Sequence, residues 1–441
     1  MTIYAQSSGR GRAAIAIIRV SGPEAGGALC ALTGRGLPPA RRATLAALAD
    51  PKTGAPIDRA LVLWFPGPAS ETGEDLVEFH VHGGEAVRAA LFEALARLPG
   101  LEPAAPGAFA RQAFRNAKQD LTEVEGLADL VEAVTEAQRR QALRQLDGEL
   151  GRLYERWRAE LLGLQARVEG EIDFVEDGGP QDVSNTIRPY ILGVQKEISQ
   201  HIGDQRRGER LHDGLCVVIL GPPNVGKSTL LNALARRDVA IVSDIPGTTR
   251  DVLEVSLDLG GYPVTLVDTA GLREAADNLE AEGVRRALRR AESADLRLVL
   301  VDAPTWPTVD PATVKHLGPD SLVVVSRMDL RSEPLGRGPT GDSVWPISVK
   351  TGKGLDALIE ALTAAARERL DMPDGLVPTR ARHRHALEQT VLALGRASEA
   401  KSLELLAEDL RLGIRSLGRI TGRVDVEDML DRLFSEFCIG K

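Results

Sequence analysis

At 441 residues, with 43% apolar and 27% charged residues, the chain has an ordinary soluble composition and room for about two to four domains. A formal net charge of −9 excludes nucleic-acid binding driven by an overall positive field, so any RNA contact must use local basic patches. Three widely spaced cysteines, Cys30, Cys216 and Cys438, argue against a disulfide framework or a zinc ribbon and point to a reducing compartment.

No apolar run approaches the length of a membrane span. The run Ala13–Ile18 is too short for a secretory signal, Arg19 interrupts it and no cleavage-like site follows; the expectation is a cytoplasmic protein without membrane contact. Residues 1–117 read as a compact α+β domain. "AAIAIIRVSGP", "RALVLWFPGP" and "DLVEFHVHGG" are strand-then-turn segments, and "GEAVRAALFEALARL" has helical spacing. His80 and His82 share one strand face with no third ligand at metal spacing, so one of them is expected beside a ligand pocket. Residues 118–211 turn helical, starting at Asp120 and Glu123, which have capping-box spacing. Residues 212–371 alternate buried β-branched runs with helices, the pattern of a mostly parallel α/β domain. Residues 372–441 return to helical spacing, so the α/β domain is expected as an insert within one helical domain split in sequence.

"GPPNVGKS", residues 221–228, fits G-x-x-x-x-G-K-[ST], follows the strand "CVVIL" and opens the helix "STLLNALARR". Glycines let backbone N–H groups converge on phosphates, and the helix N-terminus adds positive partial charge. Asn224, Val225, Gly226, Lys227, Ser228 and Thr229 are thereby nucleotide-binding candidates. Lys227 reaches the terminal phosphates, and Ser228 is a magnesium ligand. "SDIPGTT" stands where a first switch belongs: Ser243, Asp244, Ile245, Pro246 and Gly247, then Thr248 or Thr249 as magnesium and γ-phosphate ligand. "VTLVDTAGL" ends a strand at Asp268, placed to hold magnesium through water, followed by Thr269, Ala270 and Gly271. Where many GTPases carry a water-orienting glutamine, the next residue is Leu272, which can make no side-chain hydrogen bond. The base-reading loop is Ser326-Arg327-Met328-Asp329 in place of Asn-Lys-x-Asp. Asp329 keeps the carboxylate that accepts two guanine N–H groups, and Arg327 can lay its stem and guanidinium plane over the base. Loss of the asparagine puts the rigidity of this loop in question. Ser348, Val349 and Lys350 of "PISVKTGKG" supply the last loop against the base.

With these motifs in order, the chain resembles the MnmE (TrmE) family of tRNA-modification GTPases almost end to end. "TIYAQSSGRGRAAIAIIRVSGP", "TGEDLVEFHVHGG", "PGAFARQAFRNAKQDLTEVEGLADLVEA" and the terminal "FCIGK" carry the likeness beyond the shared phosphate-loop motifs. The resemblance implies a fold of three parts: a folate-binding-like domain, the split helical domain and an inserted Ras-like G domain. It also implies activation by potassium, with Asn224, Ser243, Ile245 and Thr248 at the ion, Thr249 at magnesium, and Glu280 orienting the water in place of a glutamine. The N-terminal part would bind a tetrahydrofolate derivative, in the 5,10-methylene or 5-formyl form, across a homodimer. Arg19, Glu78, Lys118 and Lys441 match the folate positions, with Cys438 as a thiol for one-carbon chemistry or a small packing residue. An FAD-containing MnmG (GidA)-type partner is implied, FAD lying on the partner. Together the two would place a carboxymethylaminomethyl or aminomethyl group on carbon 5 of a tRNA wobble uridine. The basic runs "RRQALRQLDGELGRLYERWR" and "TRARHRHALEQ" suit tRNA phosphates and a solvated helix face equally. The alternative is a GTP-switched ribosome-assembly factor without modification chemistry, against which the N-terminal block and "FCIGK" stand. A folate enzyme with a degenerate G domain has only the altered "SRMD" loop in its favour.

Overall fold

The computed structural model describes residues 1–9, 11–173, 183–237, 239–241, 254–268, 294–335, 344–371, 376–424, 427–435, 437 and 440. Contacts divide the chain into two compact units. The first is Met1–Ala128 with Gln145–Ser184 and Ala400–Lys441; the second is Asp129–Arg144 with Asn185–Glu399.

The first unit is built on six strands: β1 (Thr2–Gln6), β2 (Ile15–Ser21), β3 (Thr44–Ala49), β4 (Pro56–Phe65), β5 (Leu76–His82) and β6 (Leu101–Pro103). They lie in the order β3-β4-β5-β2-β1-β6, antiparallel except for the β1–β6 pair. In "LVEFHVH" the alternation buries Val77, Phe79 and Val81 and turns Glu78, His80 and His82 to the other face. The helices Ala25–Thr33 and Glu85–Ala96 cover the apolar face through Leu29, Leu32, Leu91 and Leu95. Each such side chain contributes roughly 1.5–3 kcal/mol on burial, and a slip of one residue would drive Glu78 into that core; register is therefore tightly specified. On the opposite face the helix Ala108–Arg115 lays Phe109 against Ile3 and Ala5.

The expected cap forms at the helix Leu121–Glu132: Asp120 Oδ1 accepts from the Thr122 and Glu123 amides at 2.7 and 3.0 Å, and Glu123 accepts from the Asp120 amide at 2.7 Å. The helices Glu149–Asp173 and Leu403–Thr421 pack together, burying Tyr154, Trp157 and Leu161 on one and Leu406, Leu410 and Leu417 on the other. They come from either side of the α/β segment in sequence, the pairing that a split helical region requires.

The second unit holds β7 (Leu215–Leu220), β8 (Glu254–Leu259), β9 (Tyr262–Asp268), β10 (Leu296–Asp302), β11 (Ser321–Ser326) and β12 (Val344–Pro346), ordered β12-β11-β10-β7-β9-β8. All neighbours are parallel except β8 and β9. The strands read as nearly unbroken apolar runs because a parallel sheet is buried on both faces. Val217, Ile219, Leu266, Leu298 and Leu300 share one core with Leu230 and Leu234 of the helix Lys227–Ala235 and Leu358 and Leu362 of Leu355–Leu370. From β7 the chain runs out to β8, back to β9 on one side and then across to β10 on the other, so a switch point opens at the carboxyl ends of these strands, where α/β sheets bind ligands.

Candidate functional site

The carboxyl end of β7 runs into the glycine loop. Gly221 has φ +148°, and a Cβ there would stand 2.6 Å from the Leu300 carbonyl oxygen, so only glycine lets the loop pass this close to β10. Gly226, at φ +101°, turns the chain into the helix Lys227–Ala235, whose first amides face the loop mouth. Lys227 is buried and folds back across the loop, donating to the Gly221 and Pro222 carbonyls at 3.0 and 2.9 Å. The Ser228 hydroxyl donates to the buried carboxylate of Asp268 at the end of β9. A hydroxyl and a carboxylate meeting beside a phosphate cradle are hard oxygen donors that suit magnesium.

The base-reading loop leaves β11 beside this cradle. The buried Ser326 hydroxyl donates to the Val225 carbonyl at 2.7 Å, tying it to the phosphate loop. Where the usual pattern has asparagine, this serine thus holds the loop against the phosphate loop. Ser348 donates to Asp329 at 2.7 Å. That hydrogen bond, aided by the charges on Lys350 and Arg327, holds the Asp329 carboxyl below its ordinary range and keeps it an acceptor. One edge of the Arg327 guanidinium, Nε and Nη2, is taken by Asp302, which leaves its flat face and its stem for a base.

Asn224 to Thr229, Asp268, Ser326, Arg327, Asp329 and Ser348 to Lys350 thus lie at the carboxyl ends of the strands of this sheet. Ser243, Asp244, Ile245, Pro246, Gly247, Thr248, Thr249, Thr269, Ala270, Gly271, Leu272, Glu280, Cys438 and Lys441 lie outside the described residues.

In the first unit a cavity of about 190 Å³ is lined by Ser7, Ile17, Arg19, Glu71, Glu78, Phe109 and Gly440 among others. Arg19 lies between two carboxylates, at 3.0 Å from Glu71 and 2.9 Å from Glu78, with its guanidinium 5.8 Å from the Phe109 ring centre. His80 is 3.2 Å from Glu78, and His82 pairs with Asp58. Among the described residues no three His, Cys, Asp or Glu side chains form a metal cluster. Lys118 does not line the cavity; its ammonium donates to the Pro68 carbonyl at 3.2 Å, on the loop that carries Glu71. The Gly440 carbonyl accepts from Ser7 Oγ at 2.9 Å, and a Cβ on Gly440 would overlap the Gln6 carbonyl oxygen. Glycine is therefore required to seat the C-terminal segment at the cavity wall.

Glu71, Asp302 and Gly440 escaped the sequence reading. Only Asp302 had a signal there, as an acid ending the apolar run "LRLVLVD" at the ligand edge of a parallel sheet.

The parallel sheet, the phosphate loop and the aspartates at its strand ends define a phosphate-loop nucleotide-binding protein of the G-domain class, set in a larger multidomain chain. The model of the TrmE N-terminus, described as a GTP-binding protein, matches residues 2–118, and that of the MnmE helical domain matches residues 121–438. The chain is 55% identical to the tRNA modification GTPase MnmE of Parvibaculum lavamentivorans, covering all of both chains. It is 55% identical to that of a Methylobacterium species and 52% to that of Rhodospirillum rubrum, covering all of this chain and 99% of each relative. The chain belongs to the MnmE (TrmE) family. The solved FeoB G domain of Methanococcus jannaschii aligns with 35% of this chain and 98% of its own at 26% identity, with a TM-score of 0.26.

Proposed function

We propose that this chain hydrolyses GTP to GDP and phosphate, and that the hydrolysis serves tRNA modification. The observation that carries the reading is the phosphate loop whose Ser228 meets the buried Asp268, in a chain related end to end to proteins named tRNA modification GTPases. Lys227 is the cation for the terminal phosphates, the helix Lys227–Ala235 supplies amides to them, and Asp329 with Ser348 reads guanine. Magnesium, when bound, neutralises charge on the β- and γ-phosphates; Ser228 and Thr249 would hold it directly and Asp268 through water. Asn224, Ser243, Ile245 and Thr248 would hold potassium, and Glu280 would orient the water, leaving Leu272 no chemical task.

The folate reading takes its support from the cavity in the first unit. Glu78 and Arg19 in its lining offer a carboxylate to pterin N–H groups and a cation to a glutamate tail; Lys118, outside the lining, and Lys441 would add cations, with Cys438 close by in sequence. The same reading includes a homodimer and an FAD-containing MnmG-type partner. Its product is a carbon-5-substituted wobble uridine, its location is the cytoplasm, and its domain limits are 117/118, 211/212 and 371/372. Among the described residues no helix is long and apolar enough to cross a membrane.

Nucleoside mass spectrometry of bulk tRNA from cells with and without the gene tests the proposal. A carbon-5-substituted wobble uridine should vanish without the gene and return with the intact gene but not with Lys227→Ala. An unchanged tRNA profile would overturn it.

A further inference from the structure

The base-reading loop begins at a strained residue tied to the end of β10. Arg327 sits at φ 58°, in the left-handed region where a non-glycine residue is strained. Its Nε donates to Asp302 Oδ1 at 2.7 Å while Nη2 donates to Oδ2, a two-pronged pair anchored on the last residue of β10. The Arg327 side chain is 44% exposed and that of Asp302 16%. A half-exposed ion pair adds little to stability, so a strained backbone is not explained by the pair as a fold brace. The surrounding contacts all tie this loop to its neighbours. Arg331 donates to the Ala303 and Trp306 carbonyls at 2.9 and 2.8 Å, and the Met328 amide donates to the Ile347 carbonyl at 3.1 Å. Two residues beyond Arg327 stands Asp329, braced by Ser348.

We propose that Asp302 is a positioning residue for nucleotide binding: its carboxylate captures both donors of one edge of the Arg327 guanidinium, so that the arginine offers a purine ring its flat methylene stem and not a free cation. The pair pre-organises the loop and so lowers the ordering cost of binding. The inference rests on the guanine-nucleotide reading of this site and assigns it a residue that the G-x-x-x-x-G-K-[ST] and Asn-Lys-x-Asp patterns do not include.

Titration of the full-length protein with N-methylanthraniloyl-GDP, together with GTP turnover, tests it. Asp302→Asn and Arg327→Ala should each weaken GDP binding about threefold to fivefold, and the double variant no more than either single one. For Asp302→Asn the loss should fall on KM for GTP and not on kcat, with the melting temperature of the nucleotide-free protein unchanged. Wild-type affinity in Asp302→Asn, or losses that multiply in the double variant, would overturn the proposal. So would a drop in nucleotide-free melting temperature that tracks the lost affinity, which would make the pair a fold brace. A wild-type protein without affinity for the GDP probe would overturn the nucleotide reading itself, and the inference with it.

Discussion

Asn224 holds φ 61° inside a loop whose other sharp bends are glycines. Asparagine tolerates the left-handed region better than most residues, at a cost of about 1–2 kcal/mol relative to a helical backbone. Such strain collects at ligand clamps, where it is over-determined by its surroundings. In the potassium reading the amide of Asn224 serves the ion, and the backbone conformation and the side chain can be separated by experiment. Asn224→Gly keeps the left-handed turn and removes only the amide. GTP turnover in KCl should exceed that in NaCl at equal ionic strength by on the order of a hundredfold to a thousandfold, as for removal of one preorganised electrostatic partner. The glycine variant should lose this difference and still bind GDP. Equal wild-type rates in the two salts would remove the potassium role.

Among the elements, the helix Val183–Ile202 has an acid-sensitive end. Burial pushes the His201 imidazole down to about 4; the charges of His383 and Arg384 push the same way and Asp204 opposes them. Arg384 is itself held by Asp204 and Glu209, which join the end of this helix to Ala381–Glu399. His201 is neutral in the folded protein at pH 7, while in the unfolded chain it takes up a proton near pH 6.5. Stability from this group is therefore level above pH 6.5, falls as the pH drops toward about 4, and levels off below; the span corresponds to roughly 3 kcal/mol. Thermal unfolding of wild type and His201→Gln across pH 7 to 4.5 should diverge, the wild type losing more; parallel curves would refute the assignment. Elements of this kind were legible only in part. The glycine loop, the apolar strands of the parallel sheet and the Asp120–Glu123 cap are local patterns, and each formed where its spacing placed it. Glu71 meeting Arg19 and Gly440 meeting Ser7 join residues 52 and 433 positions apart, and no periodicity encodes such pairings. The serine tie from Ser326 to Val225 has no local signal for the same reason: its partner is a backbone carbonyl 101 residues away.

For the molecule as a whole, the face of the first sheet that carries Arg19 and Glu78 also carries apolar residues open to solvent. Ile15, Leu45 and Leu61 are 59%, 65% and 45% exposed. Leu45 stands opposite Leu61, and their row continues through His80 to Ile17 across four strands, with Ile15 two residues from Ile17 on the same face, opposite His82. Exposed apolar residues grouped on one sheet face suit a docking surface, and a twofold pair uses one such patch twice. A second copy seated there would border the cavity beside Glu78 and Arg19, which is what a ligand bound across a homodimer requires. Leu61→Asp puts two buried carboxylates into such an interface and removes two leucines, so self-association should weaken about a hundredfold. In sedimentation velocity this variant should run as a monomer and bind 5-formyltetrahydrofolate more weakly than wild type. In the folate reading Glu78→Ala should do the reverse, losing the folate without changing self-association, because it removes the proposed pterin acceptor and leaves Leu45 and Leu61 in place. The two variants separate the readings: a Leu61→Asp protein that stays dimeric places the second copy elsewhere, and unchanged folate binding in Glu78→Ala removes the pterin from this cavity.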